Sequence, residues 1–254
     1  MSLIIYADFS CPSCYLASRR ADALVAAGAA IDWRAVEHHR PLPVTGQRLD
    51  DTDREALARQ LAVVTELLLP GEPLPHVVPT FVPRTEAAVS AYAEAHGAGV
   101  AGDVRRLLFD LYWVDGADIG NPTVLRTPLT GPILRGHSDA LPLRESGFAV
   151  SLDGGPVTTQ AYRLIRTWRT EREGLGTPDL PVVVEEGGQI HTGVEALRWL
   201  GELMVARGVA VAPELPDPRR YPEVSVRPST AGWVSETGAT WMHALRVPVV
   251  AGRR

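Results

Sequence analysis

The sequence predicts an α/β domain interrupted by a block of helices. Hydrophobic periodicity predicts a strand–helix–strand segment at the start of the chain and a helix–strand–strand–helix segment that ends at residue 208. The periodicity between these two segments is purely helical. At 254 residues, 45% of them hydrophobic, the chain is long enough for one substantial core that carries an insertion. We therefore predict one domain in two halves, residues 1–49 and 126–212. A helical insertion, residues 50–125, separates the halves, and a proline-rich C-terminal extension covers residues 213–254.

The opening segment predicts a βαβ unit. Residues 3–7 form a short apolar run that is typical of a buried strand. Pro12 stands where a first helical residue tolerates a missing N–H, apolar residues recur after it at helical spacing, and Gly28 is a suitable stop. Residues 31–37 predict the second strand.

Helical periodicity dominates the middle of the chain. Residues 52–69, 85–96 and 104–113 predict three helices, and Asn121-Pro122 predicts an N-cap followed by a proline in the first turn of another. Residues 126–155 are interrupted by several Gly and Pro, so there we expect loops with one short helix.

The closing segment predicts a helix, a strand, a hairpin turn, a return strand and a helix. The first helix covers residues 158–173 and the strand residues 180–184. The turn at 187–188 leads to the return strand at 189–192, and the last helix covers residues 193–208. The extension that follows is first proline-rich and then apolar. It could add strands, pack on the domain, or join two chains as a homodimer.

Composition excludes several function classes. All 25 basic residues are arginine, so a Schiff-base lysine, a Walker-A lysine and a kinase lysine are excluded. The net charge of −5 and the lack of a basic tract predict no nucleic-acid partner and no membrane partner. No signal peptide or membrane span is apparent, so we expect a cytoplasmic protein, and the wealth of Ala, Gly, Pro and Arg suggests a GC-rich bacterial genome.

The chain contains two cysteines, Cys11 and Cys14, in a single CxxC motif. At the start of a helix, Cys11 would face unpaired N–H groups and the positive end of the helix dipole, which favour a thiolate nucleophile. Cys14, one turn later, could resolve a mixed disulfide. Pro12 stiffens the turn between them, and Ser13 adds a hydroxyl group without charge.

Other interpretations of the motif stay open. A CxxC can be half a zinc site, but no His pair of suitable spacing completes one here, and we predict no metal. The pair can also be inert and structural. Asp8 and Glu37, at the ends of the two strands, could relay protons, although carboxylates there are usually solvated.

Three further sets of polar or aromatic residues stand out in the sequence. His38, His39 and Arg40 could form a polar group near the site. We expect a solvated helix face from the arginine series Arg163, Arg166, Arg169 and Arg172. We expect the core to contain Trp113, Trp168 and Trp199.

Residues 8–16 (DFSCPSCYL) resemble the active-site segment of the DsbA-like thioredoxin-fold oxidoreductases, and most closely that of the cytoplasmic FrnE-like branch. Residues 176–184 are similar to the family segment that contains a cis-proline, which the resemblance places at Pro181. Segments 86–95, 107–113 and 118–125 resemble the family's helical insertion. Over about residues 3–208, the resemblance implies a thioredoxin-like fold with an inserted α-helical domain.

The resemblance implies a protein-disulfide or dithiol oxidoreductase that needs no cofactor. Its substrate would be a protein or a small-molecule thiol or disulfide, and its redox partner a low-molecular-weight thiol or a dithiol protein. Cys11 would be the nucleophile and Cys14 the resolving thiol. The substrate-binding residues would be Pro12, Ser13, Leu180 and Pro181. Ser13 stands where the family commonly has tryptophan or histidine, so the redox poise is not implied.

Two alternative functions remain. A related branch of glutathione-type isomerases and transferases carries serine in place of Cys11, and a small-molecule enzyme of that type would need Cys11 alone. The chain could also be a non-catalytic binding module with a relic CxxC.

Overall fold

A βαβ unit opens the computed structural model, which describes residues 1–38, 42–73, 75 and 78–209. It consists of β1 (Ser2–Ala7), α1 (Pro12–Ala26) and β2 (Ala30–Ala35), with β1 and β2 parallel. This unit is confirmed as predicted. The extension at 213–254, for which we expected added strands or a dimer contact, lies outside the described residues.

The main sheet has four strands in the order β2-β1-β5-β6. β5 (Val182–Glu185) pairs antiparallel with β1, and β6 (Ile190–Thr192) returns beside β5. The hairpin turns at Gly188, whose φ of +82° favours glycine. Ile5 and Tyr6 point to opposite faces of β1 and both are buried, so both faces of the sheet are covered. The predicted α/β class is confirmed.

Helices fill most of the chain between β2 and β5. The described helices after α1 are α2 (Asp51–Glu66), α3 (Glu86–Gly97), α4 (Ala101–Trp113), α5 (Pro122–Leu134), α6 (Leu141–Ser146), α7 (Thr159–Gly174) and α8 (Gly193–Ala206). Helix α1 packs against α8, α2 and α4, while α3 packs against α7, α4 and α5. A short antiparallel pair, β3 (Gln47–Arg48) and β4 (Phe81–Val82), escaped prediction because two residues show no periodicity.

Helix α5 contradicts the expectation of loops, because it continues to Leu134 although Pro128 and Pro132 lie inside it. Interior prolines each remove a helical donor, at a cost of about 3 kcal/mol. Leu125, Leu129 and Ile133, one turn apart, are buried, and α5 packs against α6, α4 and α3. This buried stripe outweighs the prolines. The short helix that we expected in this region is α6. The predicted division at 125 falls within α5, and the division into domains stays a prediction.

Aromatic residues attach the helices to the segment before the CxxC. The ring centroid of Phe9 lies 5.0 Å from that of Phe109 and 6.0 Å from that of Tyr92. The indole of Trp113 donates a hydrogen bond of 3.0 Å to the Phe9 carbonyl. Phe9 is therefore fixed from several sides, only two residues before Cys11. Of the tryptophans predicted in the core, Trp113 and Trp168 are buried, while Trp199 is partly buried and stacks on His191.

A buried ion pair joins α1 to the segment that follows α2. Arg20 is 1% exposed and donates two hydrogen bonds of 2.8 Å to the Glu72 carboxylate. The same guanidinium donates to the carbonyls of Leu67 and Leu197, the latter on α8. Glu72 also accepts a hydrogen bond of 2.7 Å from the N–H of Leu69. Every charge in this cluster is paired, so it holds α1, α2 and α8 together.

Candidate active site

Cys11 is the N-cap residue of α1. Its backbone is extended, with φ −90° and ψ 122°, and its Sγ accepts a hydrogen bond of 3.3 Å from the Cys14 N–H. Pro12 occupies the first turn, where its missing donor costs nothing. The positive end of the helix dipole and the free N–H groups of this turn favour negative charge on the Cys11 sulfur. Cys11 is partly exposed and can meet a substrate.

Cys14 lies one turn further along α1 and is fully buried. Burial raises its pKa well above the usual value for a thiol, and the hydrogen bond and charge of Cys11 raise it further. The Asp8 carboxylate also acts in this direction, while a hydrogen bond with the Asp8 backbone opposes it. Both cysteines are free in this structure. The pair thus combines an accessible sulfur with a protected, protonated one.

The loop before β5 faces Cys11 across the sheet edge. The Leu180–Pro181 peptide bond is cis, which confirms the geometry that the resemblance implies. The Cys11 Sγ lies 3.8 Å from the Leu180 carbonyl oxygen, and the Pro181 carbonyl accepts a hydrogen bond of 2.9 Å from Gly193 at the start of α8. Pro12 and Ser13 lie on the first turn of α1 beside Cys11, so the predicted site residues share one region. The substrate-binding role of these residues remains a prediction.

Asp8 lies at the end of β1 and is completely buried, so the expectation of a solvated carboxylate is wrong. Its Oδ1 accepts hydrogen bonds from the Ser10 N–H (2.7 Å) and hydroxyl (2.6 Å). Its Oδ2 accepts from the His38 N–H (2.7 Å) and the Thr85 hydroxyl (2.8 Å). Four donors therefore satisfy the carboxylate inside the protein, and they tie together β1, the end of β2 and the start of α3.

Glu37 is also covered, with only 5% of its side chain exposed. Its carboxylate lies 3.3 Å from Arg169 and 3.8 Å from Arg84. A carboxylate after a strand is solvated unless other elements close over it, and here α7 and the segment before α3 do so. Of the polar group predicted near the site, His38 contacts Asp8 through its backbone, while His39 and Arg40 lie outside the described residues.

Two functional candidates, Thr85 and Arg172, were not predicted from the sequence. A threonine before a helix looks like an ordinary N-cap, and nothing local shows that Thr85 reaches Asp8. Arg172 belongs to the arginine series that we expected to be solvated, but it donates a hydrogen bond of 3.2 Å to the Asp179 carbonyl, next to Leu180. The expectation is therefore wrong for Arg169 and Arg172, whereas Arg163 and Arg166 are exposed. The sequence signal was the spacing of the series, because arginines three residues apart on a helix do not all lie on one solvated face.

The ranges that the structure describes contain neither a cluster of metal-ligating side chains nor a helix suited to span a membrane. No three or more histidine, cysteine, aspartate or glutamate side chains in these ranges are arranged to hold a metal ion. Among the helices that the structure describes, none has the length and hydropathy of a membrane span.

Comparison with known proteins places the chain among thioredoxin-like proteins. The family described as the DSBA-like thioredoxin domain matches residues 2–129, about half of the chain. A search of curated proteins found no match. The fold is similar to that of a probable DsbA oxidoreductase from Streptomyces coelicolor, with 16% identity, a TM-score of 0.56, and coverage of 86% of this chain and 94% of that one.

Two further solved structures share the fold. The cytosolic disulfide reductase DsbM from Pseudomonas aeruginosa is 19% identical, with a TM-score of 0.55 and coverage of 82% of this chain and 96% of its own. A 2-hydroxychromene-2-carboxylate isomerase is 17% identical, with a TM-score of 0.57 and coverage of 81% and 95%. At these identities the likeness concerns the fold, and the chemistry must be argued from the site.

Proposed function

Because the chain belongs to the DSBA-like thioredoxin domain family, we propose that it is a thiol–disulfide oxidoreductase of the FrnE-like branch that acts in the bacterial cytoplasm. The observation that carries the proposal is the placement of the two sulfurs. Cys11 is partly exposed at the N-cap of α1, Cys14 is buried one turn later, and the Leu180 carbonyl lies 3.8 Å from the Cys11 sulfur. In such a pair the partly exposed Cys11 sulfur can attack a substrate, and the buried Cys14 sulfur can resolve the mixed disulfide that results.

In the first step, the Cys11 thiolate attacks one sulfur of a substrate disulfide. The bond between Cys11 and that sulfur forms while the substrate S–S bond breaks, and the leaving sulfur departs as a thiolate. The N–H groups of the first helical turn stabilise the Cys11 thiolate before the attack. The product is a mixed disulfide between Cys11 and the substrate.

In the second step, Cys14 resolves the mixed disulfide. The raised pKa of Cys14 keeps it protonated until then, and its proton passes to the departing substrate thiolate. The Cys14 sulfur attacks the Cys11 sulfur, the Cys11–Cys14 disulfide forms, and the second substrate thiolate leaves. Two electrons have moved from the dithiol to the substrate disulfide, and the reverse sequence oxidises a substrate dithiol.

The loop at Leu180 and Pro181, together with Pro12 and Ser13, forms the proposed substrate surface. An extended peptide or a small thiol bound there places its sulfur beside Cys11, and the Leu180 backbone can pair with the peptide backbone. A low-molecular-weight thiol or a dithiol protein restores the starting state. Both sulfurs are supplied by the chain, so the exchange requires no metal or organic cofactor.

The test is a redox titration of the Cys11–Cys14 pair, combined with turnover of two substrates. Wild-type protein, Cys11→Ser and Cys14→Ser are incubated with insulin or with a fluorophore-labelled glutathione disulfide. With a low-molecular-weight thiol as the reductant, we expect the wild-type pair to form a reversible disulfide and to reduce the substrates catalytically. Cys14→Ser should accumulate a mixed disulfide detectable by mass spectrometry and turn over at a small fraction of the wild-type rate. Cys11→Ser should be inactive.

The same variants separate the alternatives. Full turnover of the small substrate by Cys14→Ser would contradict the dithiol mechanism and favour a glutathione-type isomerase or transferase that needs Cys11 alone. A pair that stays unchanged across the redox titration, or that binds stoichiometric zinc, would instead indicate a non-catalytic module.

A further inference from the structure

A cavity lies between the end of β2, α3 and the last turns of α7. Its volume is about 50 Å³. Apolar side chains form its walls, and charged side chains lie at its α7 side and at the end of β2. The apolar lining residues are Ala35, Val36, Val89 and Ile165. The charged lining residues are Glu37, Arg169, Arg172 and Glu173.

The charged groups of the cavity differ in how they are compensated. Glu37 lies between Arg84 and Arg169, at 3.8 and 3.3 Å, so Arg169 already faces a carboxylate. Arg172 makes no ion pair with any residue that the structure describes, and its buried Nε has no hydrogen-bond partner there. Burial lowers the pKa of Arg172, and the charges of Asp179 and Cys14 oppose this. An anionic group in the cavity would meet the Arg172 side chain, which lines it.

Arg172 is also connected to the reacting sulfur. Its Nη2 donates a hydrogen bond of 3.2 Å to the Asp179 carbonyl, and the next carbonyl along the chain, that of Leu180, lies 3.8 Å from the Cys11 Sγ. A ligand held by Arg172 would therefore be held at the edge of the loop that faces the dithiol.

We propose that Arg172 anchors a carboxylate of the disulfide substrate in this cavity, so that the protein prefers acidic disulfides. This inference rests on the proposed function and specifies its substrate class. A planar guanidinium suits a carboxylate because its donors match the two oxygens. The carboxylate can belong to an acidic side chain next to a peptide cysteine or to a small acidic thiol, and the substrates chosen below distinguish these sources.

The first experiment compares kcat/KM for matched acidic and neutral disulfides. The small pair is dithiodipropionate and hydroxyethyl disulfide, and the peptide pair carries Glu or Gln next to its cysteine. Wild type should prefer the acidic member of at least one pair by about tenfold, the strength of one hydrogen bond to a charged group. Arg172→Gln should lose this preference, because the acidic substrate loses its anchor and the neutral one has none to lose, and Arg172→Lys should retain part of it.

Arg166→Gln is the matched control, because Arg166 is exposed on the same helix, and it should retain the full preference. A wild-type protein that does not distinguish the members of either pair would overturn the proposal. An Arg172→Gln variant that slows acidic and neutral substrates equally would also overturn it and assign Arg172 to support of the Asp179 carbonyl alone.

A second experiment does not depend on turnover. In a Cys14→Ser background, where Cys11 is the remaining thiol of the chain, Cys11 is alkylated with iodoacetate and with iodoacetamide. The ratio of the two rates cancels the thiolate fraction, and we expect Arg172→Gln to lower it several-fold and Arg166→Gln to leave it unchanged. An unchanged ratio in Arg172→Gln contradicts the anchor. A lowered ratio in a protein that reduces no disulfide supports the anchor and refutes the proposed function.

Discussion

Replacing Thr85 with valine tests how strongly the buried Asp8 carboxylate organises the site. Valine has the shape of threonine, so the change removes little more than the hydroxyl that donates 2.8 Å to Asp8 Oδ2. Thr85 is 3% exposed and Asp8 is completely buried, so water has little access to replace the lost donor. A buried charged acceptor that loses one hydrogen bond costs about 1.5–3 kcal/mol.

The free energy of unfolding of Thr85→Val should therefore fall by that amount. For a chain of this size, the melting temperature should fall by roughly 3–12 °C, since about 2–4 °C corresponds to each kcal/mol. Urea denaturation of the reduced protein, followed by circular dichroism, gives the free energy directly. Thr65→Val is the matched control, because the Thr65 hydroxyl bonds the Leu61 carbonyl at an exposed position of α2.

Thr65→Val should change stability by less than about 0.5 kcal/mol, as exposed substitutions usually do. If Thr85→Val is no more destabilising than this control, the four donors around Asp8 do not contribute as the geometry indicates. The role of Asp8 in joining β1, β2 and α3 would then have to be abandoned.

Two further predictions concern the other buried charges and the resolving thiol. Arg20→Met leaves the Glu72 carboxylate buried without its cation, and should lower the free energy of unfolding in urea by about 3–5 kcal/mol; a loss below about 1 kcal/mol would show that the pair is dispensable. Because burial raises the pKa of Cys14, the unfolded chain ionises this thiol first, so stability of the reduced protein should be insensitive to it below a pH of about 8.5 and decrease above that value. Urea denaturation across pH should show the decrease in wild type and a smaller one in Cys14→Ser, and equal slopes would contradict the assignment.

The sequence predicts those parts of the fold whose signals are local. Pro12 in the first turn of α1 and the glycines of the β5–β6 hairpin occupy the positions that their backbone preferences favour. The cis bond before Pro181 followed from the resemblance, because position alone favours trans. Helix α5 shows the limit of local signals, since its prolines argue against a helix and tertiary burial of its apolar stripe decides the outcome.

The environment of the site was beyond sequence reasoning, because it depends on contacts between distant segments. Asp8 meets Thr85 across 77 residues, and Glu37 meets Arg169 across 132. A carboxylate after a strand has the same local sequence whether water or other elements cover it. The same holds for Arg172, whose hydrogen bond to the Asp179 carbonyl places one member of an arginine series beside the residue that precedes Leu180.

The order of the strands has a consequence for synthesis on the ribosome. β1 obtains its first neighbour, β2, almost at once, but its second neighbour, β5, begins only at Val182. At about 5–20 residues per second, roughly 7 to 30 seconds pass between them. Throughout that interval β1 is an edge strand, and Cys11 lacks the Leu180 carbonyl that later faces it. The nascent chain thus carries its dithiol before the opposing wall of the site exists, and its two sulfurs can then pair only with each other or with a thiol from another molecule.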